Sequence, residues 1–483
     1  MFAEIKVNRK ALIGFGNGGG KHGICGQIRA VLTGFDPDCT IEKTEGKRGR
    51  NVSRKRLFRA AAAILLTLCL AAGTGGVEPQ QSMAVVAPPA QEPDRSVVSE
   101  EAVSSIPDAE RITAEGTLMS TGDLLMHDPI LEGAFHEETD TYDFSSIFTH
   151  IASYVKQADV AVANLEVALA GNEKYPYRGY PRFNCPDEIV DAAKDAGFSL
   201  LLTANNHTND EGLYGIRRTM AALDERGMRF TGTRESEEEK RYDILPVGGI
   251  PVGILNYTYG SQREDGSPAL NITLEEEAVP LVNFFQYNRL DAFYEEVEKQ
   301  IAAMREDGAR AVVFYIHWGT EYRLEPNKQQ RAIAQKLCDL GVDVIIGGHP
   351  HVVQPIEILT SSATGKQTVC LYSMGNAVSN QRIYRSALKS GHTEDGVLFS
   401  VTFSAFGDGT VKLTAIDVLP TWVHWYKQEG KDVFQIIPLD AERDWTGQFD
   451  LDKTETGLQD ARASYDRTMA LVGEGLQAFG AAA

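Results

Sequence analysis

The 483-residue chain contains few cysteines, and they are far apart. There are six, with no CxxC pair among them, so the sequence indicates neither a zinc ribbon nor a disulfide framework. The fold must therefore be held by its apolar core. A hydrophobic fraction of 43% is ordinary for a globular protein with a core of that kind.

Basic residues are scarce outside the N-terminal part. The net charge is -20, and Lys and Arg outnumber Asp and Glu only in the first 74 residues. A body this acidic argues against a surface for nucleic acid or for anionic lipid headgroups. We therefore expect no nucleic-acid partner.

No apolar run is long enough to cross a bilayer comfortably. The longest, Ala60–Ala72, has thirteen residues, against about 20 for a spanning helix. Four basic residues precede it, which is typical of a secretory signal, although an uncleaved anchor or a buried helix stays open. We predict an unassigned tail at 1–50, a signal peptide or membrane anchor at 51–73, and a disordered linker at 74–113. The segment 51–73 therefore predicts an extracytoplasmic protein that is membrane-anchored or secreted.

From residue 116, short apolar runs alternate with helical patterns, and two hairpin-like segments interrupt the alternation. This predicts a layered α/β domain with mixed sheets at 114–425, followed by an extension at 426–483 that ends in a helix. The predicted strands are 117–126, 160–167, 198–204, 311–316, 342–346 and 368–373. The predicted helices are 186–196, 212–226, 290–306, 327–340 and 458–479, and the hairpins are 242–257 and 397–419.

Polar motifs stand at the ends of these six predicted strands. They are Gly122-Asp123, Asn164-Leu165-Glu166, Asn205-Asn206-His207, His317-Trp318-Gly319, Gly348-His349-Pro350-His351 and Ser373-Met374-Gly375-Asn376. Ligands of α/β proteins gather beyond the carboxyl ends of strands, so these side chains are expected to converge.

Imidazole and carboxylate groups together suit one or two divalent ions of Mn, Zn or Fe. In an extended segment, His349 and His351 would point to the same side and form a pincer. Other interpretations stay open, since Asp123 could cap a turn, Glu166 could bind backbone amides and His317 could pack on Trp318. The candidate metal ligands are Asp123, Glu166, Asn206, His317, His349 and His351.

The order of the six motifs resembles the CapA family of poly-γ-glutamate capsule proteins, a branch of the calcineurin-type metallophosphatase fold. The resemblance covers residues 116–421 and implies an α-β-β-α sandwich with mixed sheets. It also implies that Asp123 is the opening metal aspartate and that Glu166 bridges two metals. Two features depart from true phosphatases: Glu166 replaces an aspartate, and the first motif lacks DxH.

Further candidate site residues are identified by their positions near these ligands in the sequence. His207, of the family's Asn-His pair, and His127, four residues after Asp123, are candidate catalytic residues, although His207 could be a core histidine. The candidate substrate-binding residues are Asn164, Asn205, Arg178 and Asn376. Turn formation is an alternative role for Asn205 and Asn376, and Arg178 could lie in a solvated loop.

Two functions compete, with a third dependent on location. The first is an extracytoplasmic hydrolase that uses a metal-activated water on a phosphoester or on an amide of an anionic envelope polymer. The second is a non-catalytic component that binds polymer or assembles with capsule synthesis and export proteins of the membrane. The third, a cytoplasmic phosphoesterase, requires that residues 51–73 do not act as a targeting signal.

Overall fold

The computed structural model describes residues 107–384 and 389–482. The predicted tail, the signal or anchor, and the linker up to residue 106 lie outside the described residues. Within the described part of the chain, none of the helices has both the length and the apolar character needed to cross a membrane. Three cysteines in that part, Cys185, Cys338 and Cys370, are buried and free.

The described residues form eighteen strands and eight α-helices. The strands are β1 (Ile112–Leu124), β2 (Phe135–His136), β3 (Thr141–Tyr142), β4 (Val160–Leu165), β5 (Leu200–Leu202), β6 (Arg229–Thr231), β7 (Tyr242–Val247), β8 (Ile250–Gln262), β9 (Pro268–Ala269), β10 (Phe284–Gln286), β11 (Ala311–His317), β12 (Val344–Gly348), β13 (Ile356–Thr360), β14 (Gln367–Leu371), β15 (Asn376–Val378), β16 (Asp395–Phe406), β17 (Val411–Gln428) and β18 (Lys431–Pro438). The helices are α1 (Asp128–Ala134), α2 (Ser145–Phe148), α3 (Ala152–Val155), α4 (Glu188–Ala196), α5 (Gly212–Glu225), α6 (Leu290–Glu306), α7 (Lys328–Asp339) and α8 (Gly457–Ala482). Short 3₁₀ helices lie at Glu276–Leu281, His392–Glu394 and Leu451–Lys453.

Two mixed sheets of eight strands each carry the fold. The first has the order β18-β17-β16-β1-β4-β5-β6, with β15 beside β1, and the second has the order β10-β8-β11-β12-β14-β13, with β7 and β9 beside β8. In the first sheet β1, β4, β5 and β6 are parallel, while β16, β17 and β18 are antiparallel. The predicted hairpins are confirmed as β7–β8 and β16–β17.

Alternation along the central strands explains why α4, α6 and α7 cover the outer faces of the sheets. Leu200 and Leu202 of β5 pack with Val313 of β11 in a core between the sheets. Leu201 instead packs with α4, and Phe314 packs with α6 and α7 on the far side of the second sheet. Successive side chains of a strand face opposite sides, so each sheet buries both faces. The predicted α-β-β-α sandwich with mixed sheets is confirmed.

Beyond residue 425, the chain still contributes to the sandwich. Strand β17 continues to Gln428, and β18 pairs with it as the edge strand of the first sheet. The predicted C-terminal helix is present as α8, and its Val472 is buried in the core between the sheets. An ion pair between the partly exposed Arg467 and the buried Asp395 also holds α8 to β16.

Strand register sets the positions of the polar motifs. Asp123 at the end of β1 pairs with Asn164 of β4 on one side and with Asn376 of β15 on the other. In the second sheet, His317 at the end of β11 pairs with Gly348 of β12. Because parallel strands end at the same edge, the motifs of each sheet meet at its carboxyl edge.

Candidate metal centre

Two buried carboxylates form the base of the site. Asp123 and Glu166 are both 0% exposed, and the Asn164 side chain lies between them. Its amide nitrogen donates to Asp123 Oδ1 at 2.7 Å and, more weakly, to Glu166 Oε2 at 3.4 Å. Asn164 therefore orients the two carboxylates. The sequence predicted that Asn164 would contact substrate, whereas its amide contacts two candidate metal ligands.

His317 joins the two sheets at this point. Its Nε2 lies 2.7 Å from Asn206 Oδ1 and 3.5 Å from Glu166 Oε1. All three side chains are buried. Asn206 follows β5 of the first sheet, whereas His317 ends β11 of the second, so the site draws ligands from both layers.

The extended segment expected around His349 and His351 is wrong, although both imidazoles do reach the site. Their φ angles are 96° and 56°, which place both residues in the left-handed region that non-glycine residues rarely adopt. His351 Nδ1 lies 3.2 Å from Asp123 Oδ2, and the His349 and His317 ring centroids are 4.9 Å apart. Backbone strain of this kind clusters at functional sites, where surrounding contacts hold it in place.

Asn376 fixes the orientation of the His351 ring. Its amide nitrogen donates to oxygens that include Thr393 O at 3.0 Å, which leaves Oδ1 facing His351 Nδ1 at 3.0 Å. An amide oxygen only accepts, so Nδ1 carries the hydrogen and Nε2 keeps its lone pair. Metal-binding histidines are typically oriented by a second partner in this way.

These side chains form two groups, each able to hold a cation, and the groups share Glu166. One group is Glu166, His349 and His351, the other is Asp123, Glu166 and His317, and within each the ligand atoms lie within 4.8 Å of one another. Asp123 Oδ2, Glu166 Oε1 and His349 Nδ1 are buried without a hydrogen-bond partner. Buried polar atoms without partners are rare in native proteins. The donor set therefore fits one or two divalent cations, with Glu166 between them.

Burial shifts the pKa values of these side chains, and the neutral imidazoles that result agree with a role as metal ligands. Burial, followed by the negative charge of Asp123, raises the pKa of Glu166 well above its usual range. Burial alone would raise the pKa of Asp123 too, but contact with His351 and the charge of His317 lower it. Burial also lowers the pKa of His317 to about 3 and that of His349 well below 6.5, so both imidazoles stay neutral, as ligands must be.

His207 lies outside both groups of metal ligands, in contact with a carboxylate. Its Nδ1 is 2.7 Å from Asp210 Oδ2, and its ring meets the Phe183 ring edge-on at 4.7 Å. Asn271 Nδ2 approaches the same Nδ1 at 3.0 Å. Sequence reasoning missed Asp210, although its spacing of three residues from His207 was a usable signal.

His127 also lies outside both groups of metal ligands. The half-buried ring meets Phe183 edge-on at 5.3 Å, and its Nδ1 lies 3.0 Å from Leu125 O and accepts from the Asn380 backbone at 3.2 Å. Burial lowers its pKa to about 4. In this state the ring is neutral near pH 7, so its catalytic role stays a prediction.

Two of the other predicted substrate residues bind protein groups. Asn205 Oδ1 accepts from the His207 backbone N–H at 3.0 Å, which supports its turn interpretation, and its amide nitrogen donates to Leu165 O at 2.8 Å. The Arg178 guanidinium donates to the buried carboxylate of Glu211. One residue at the rim was missed altogether: Tyr259, whose ring centroid lies 4.7 Å from that of His349.

Residues 117–381, which contain every candidate site residue, match the family described as bacterial capsule synthesis protein PGA_cap. The chain belongs to this family. Among its relatives, capsule biosynthesis protein CapA of Bacillus anthracis is 30% identical over 289 residues, which cover 58% of this chain and 64% of that protein. This chain therefore spans slightly less than two thirds of that protein's length.

Two further PGA_cap relatives are more distant. PGA biosynthesis protein CapA of Bacillus subtilis (strain 168) is 26% identical over 342 residues, covering 68% of this chain and 81% of that protein. A probable polyglutamine synthesis accessory protein of Mycobacterium tuberculosis (strain ATCC 25618 / H37Rv) is 25% identical over 222 residues, covering 46% of this chain and 56% of that protein.

Proposed function

We propose that this protein is a metal-dependent hydrolase that acts outside the cytoplasm on an anionic cell-envelope polymer of the poly-γ-glutamate type. Poly-γ-glutamate is joined by amide bonds, and a phosphoester is the alternative bond for the same centre. One observation carries the proposal: two buried groups of ligands share Glu166 and leave ligand atoms without partners. Membership of a capsule synthesis family supports the choice of polymer.

The side chains divide into those that hold the cation and those that move protons. Asp123, Glu166, Asn206, His317, His349 and His351 are the ligands, and bound Mn, Zn or Fe would supply a Lewis acid and acidify water. Asp210 accepts from His207 Nδ1 and would stabilise the imidazolium form of the ring, whose Nε2–H would give the proton to the leaving group.

The cleft beside His207 has a small excess of positive charge, which supports an anionic substrate. Lys174, Arg182 and Arg217 line a cavity of about 480 Å³ together with the carboxylates of Glu211 and Glu275 and with Tyr175 and Tyr214. Arg182 donates to Asp210 O at 2.6 Å, so the cleft adjoins the His207–Asp210 pair. Local positive charge offsets the repulsion that a chain of net charge -20 would exert on a polyanion.

The location and partners belong to the same proposal. Residues 51–73 would direct the chain to the membrane and hold it there or be cleaved, and capsule synthesis and export proteins of the membrane would be its partners. Cell fractionation with an antibody against the sandwich tests the location. Recovery in the cytosol alone would contradict it.

Metal content of the full chain tests the centre. We expect one or two equivalents of Mn, Zn or Fe in the wild type, none in Glu166→Ala, and a partial loss in His317→Ala, since His317 belongs to one group only. Glu298→Ala, an exposed change on α6, is the matched control. A wild type that binds no metal would overturn the hydrolase proposal.

Turnover separates the hydrolase from a non-catalytic assembly component. The second function is favoured by two departures from the phosphatase pattern: Glu166 stands where an aspartate is usual, and the first motif lacks DxH. Poly-γ-glutamate and a generic phosphoester would be offered to metal-loaded protein. Hydrolysis that disappears in His207→Ala while metal stays bound supports the enzyme, whereas polymer binding without turnover supports the assembly component.

A further inference from the structure

A second cavity lies apart from the metal centre, on the outer side of the second sheet. Its volume is about 610 Å³, and its walls come from the 3₁₀ helix Glu276–Leu281, β8, β10 and the start of α6. Val282, Phe284, Phe285 and Phe293 give it an apolar side. None of the candidate metal ligands lines it.

The inner wall of this cavity holds polar groups that lack partners. Tyr257 lines the cavity and is only 1% exposed, and its hydroxyl makes no hydrogen bond. Behind the wall, Arg234 is 3% exposed and donates only to neutral oxygens, at Asn283 Oδ1 and Pro280 O, while its Nε has no partner. A buried cation is normally paired with an anion, and no carboxylate of residues 107–384 or 389–482 forms an ion pair with Arg234.

The charges are arranged with opposite signs at the two ends. At the inner end, Arg241 shares Asn283 Oδ1 with Arg234 and pairs with Glu296 at 2.9 Å, so two guanidiniums face a single carboxylate. The shared acceptor places the two cations close together, and burial followed by the charge of Arg241 lowers the pKa of Arg234 to about 10. At the rim, Glu237 and Glu276 are exposed and outnumber Arg289.

We propose that this cavity binds a small zwitterion with an apolar or aromatic body, such as a free amino acid or a short peptide. The carboxylate enters the inner end, where it compensates the excess guanidinium charge. A small shift of Tyr257 toward the cavity would bring its buried hydroxyl into hydrogen-bond contact with that carboxylate. The ammonium lies at the acidic rim, and the apolar body packs on the phenylalanines. The volume accommodates a ligand of this size.

Calorimetric titration and thermal melting of the full chain test the site with three probes. L-Phenylalanine carries both charges, phenylalaninamide lacks the carboxylate, and N-acetylphenylalanine lacks the ammonium. We expect L-phenylalanine to bind and to raise the melting temperature most, and phenylalaninamide to raise it least. Binding of all three with equal affinity, or of none, overturns the proposal.

Two variants locate the binding. Tyr257→Phe keeps the ring and removes only an unpaired hydroxyl, so it should fold as stably as the wild type and bind L-phenylalanine about tenfold more weakly. Tyr294→Phe, on α6 outside the cavity lining, is the matched control and should bind normally. His349→Ala should also bind the probe normally, which separates this site from the metal centre. Unchanged affinity in Tyr257→Phe contradicts the proposal.

Discussion

Two buried charge clusters in this molecule differ in how completely their polar atoms are paired. At the junction of β16 and α8, Asp395 is 1% exposed and accepts from Ser464 at 2.7 Å and twice from Arg467, so both of its oxygens are satisfied. At the candidate metal centre, Asp123 and Glu166 are equally buried, yet each retains an oxygen without a partner. Burial alone does not distinguish these two clusters, whereas unmet hydrogen-bonding capacity does.

The largest expected difference is the response of stability to metal. Ions that bind only the folded state stabilise it by about 4 kcal/mol at a thousandfold excess over Kd. Melting curves of chelator-treated protein with and without Mn, Zn or Fe measure this gain, and Glu166→Ala should abolish it. If none of the three metals shifts the wild-type melting curve away from that of the metal-free protein, the proposed centre is contradicted.

The paired cluster should respond to loss of a partner instead. Arg467→Leu leaves the Asp395 carboxylate buried and unpaired, and we expect it to lower the free energy of unfolding by about 3 kcal/mol, measured by urea denaturation. Metal binding should not change. Arg462→Leu, an exposed change on the same helix, is the control and should cost little. Equal effects of the two changes would show that the ion pair does not stabilise the α8 contact.

Stability should also depend on pH through Asp395. Burial raises its folded-state pKa to about 6, from an ordinary value of 3.8. As pH falls from 6 toward 3.8, the folded state gains a proton before the unfolded state does, so this group stabilises the fold at low pH and loses that effect as pH rises through 6. The difference in unfolding free energy between wild type and Asp395→Asn should therefore change by about 2 kcal/mol over this range. A difference that stays constant with pH would exclude the shift.

The smallest expected effect concerns the glycine pair before His349. A Cβ at Gly348 would lie 3.1 Å from Asp123 Oδ1 and 3.3 Å from His317 Nδ1, so Gly348→Ala should displace ligands slightly and weaken metal binding about tenfold. A Cβ at Gly347 would lie 1.9 Å from Tyr372 O, a backbone clash that should impair folding instead. Metal titration and urea denaturation of both variants measure the contrast. Metal binding by Gly348→Ala that equals that of the wild type would contradict this prediction.

Much of the sandwich followed from local patterns in the sequence. The predicted strand 160–167 contains β4, the predicted helix 290–306 matches α6, and both hairpins form, because burial on one or two faces leaves a direct periodic signal. The short strands β10 and β15 were missed, since three residues carry too little pattern to be recognised.

The sequence predicted which residues form the site better than it predicted their geometry. Asp123, Glu166, His317, His349 and His351 do meet, since each follows a strand at the carboxyl edge of its sheet. The left-handed backbone at both histidines was not foreseeable, because tertiary contacts impose it on residues that do not favour it. Asn271, which contacts His207 from a loop 64 residues away, left no local trace in the sequence.

Glu166 belongs to both ligand groups, and this makes the two occupancies interdependent. Two divalent ions on one carboxylate would repel each other while drawing on the same negative charge. If binding of the first ion changes the affinity for the second by some factor, binding of the second changes the affinity for the first by the same factor. A metal titration would then show two unequal steps, and the proposed activity would follow the weaker one, so the metal supply outside the cytoplasm would set how much of the protein is competent.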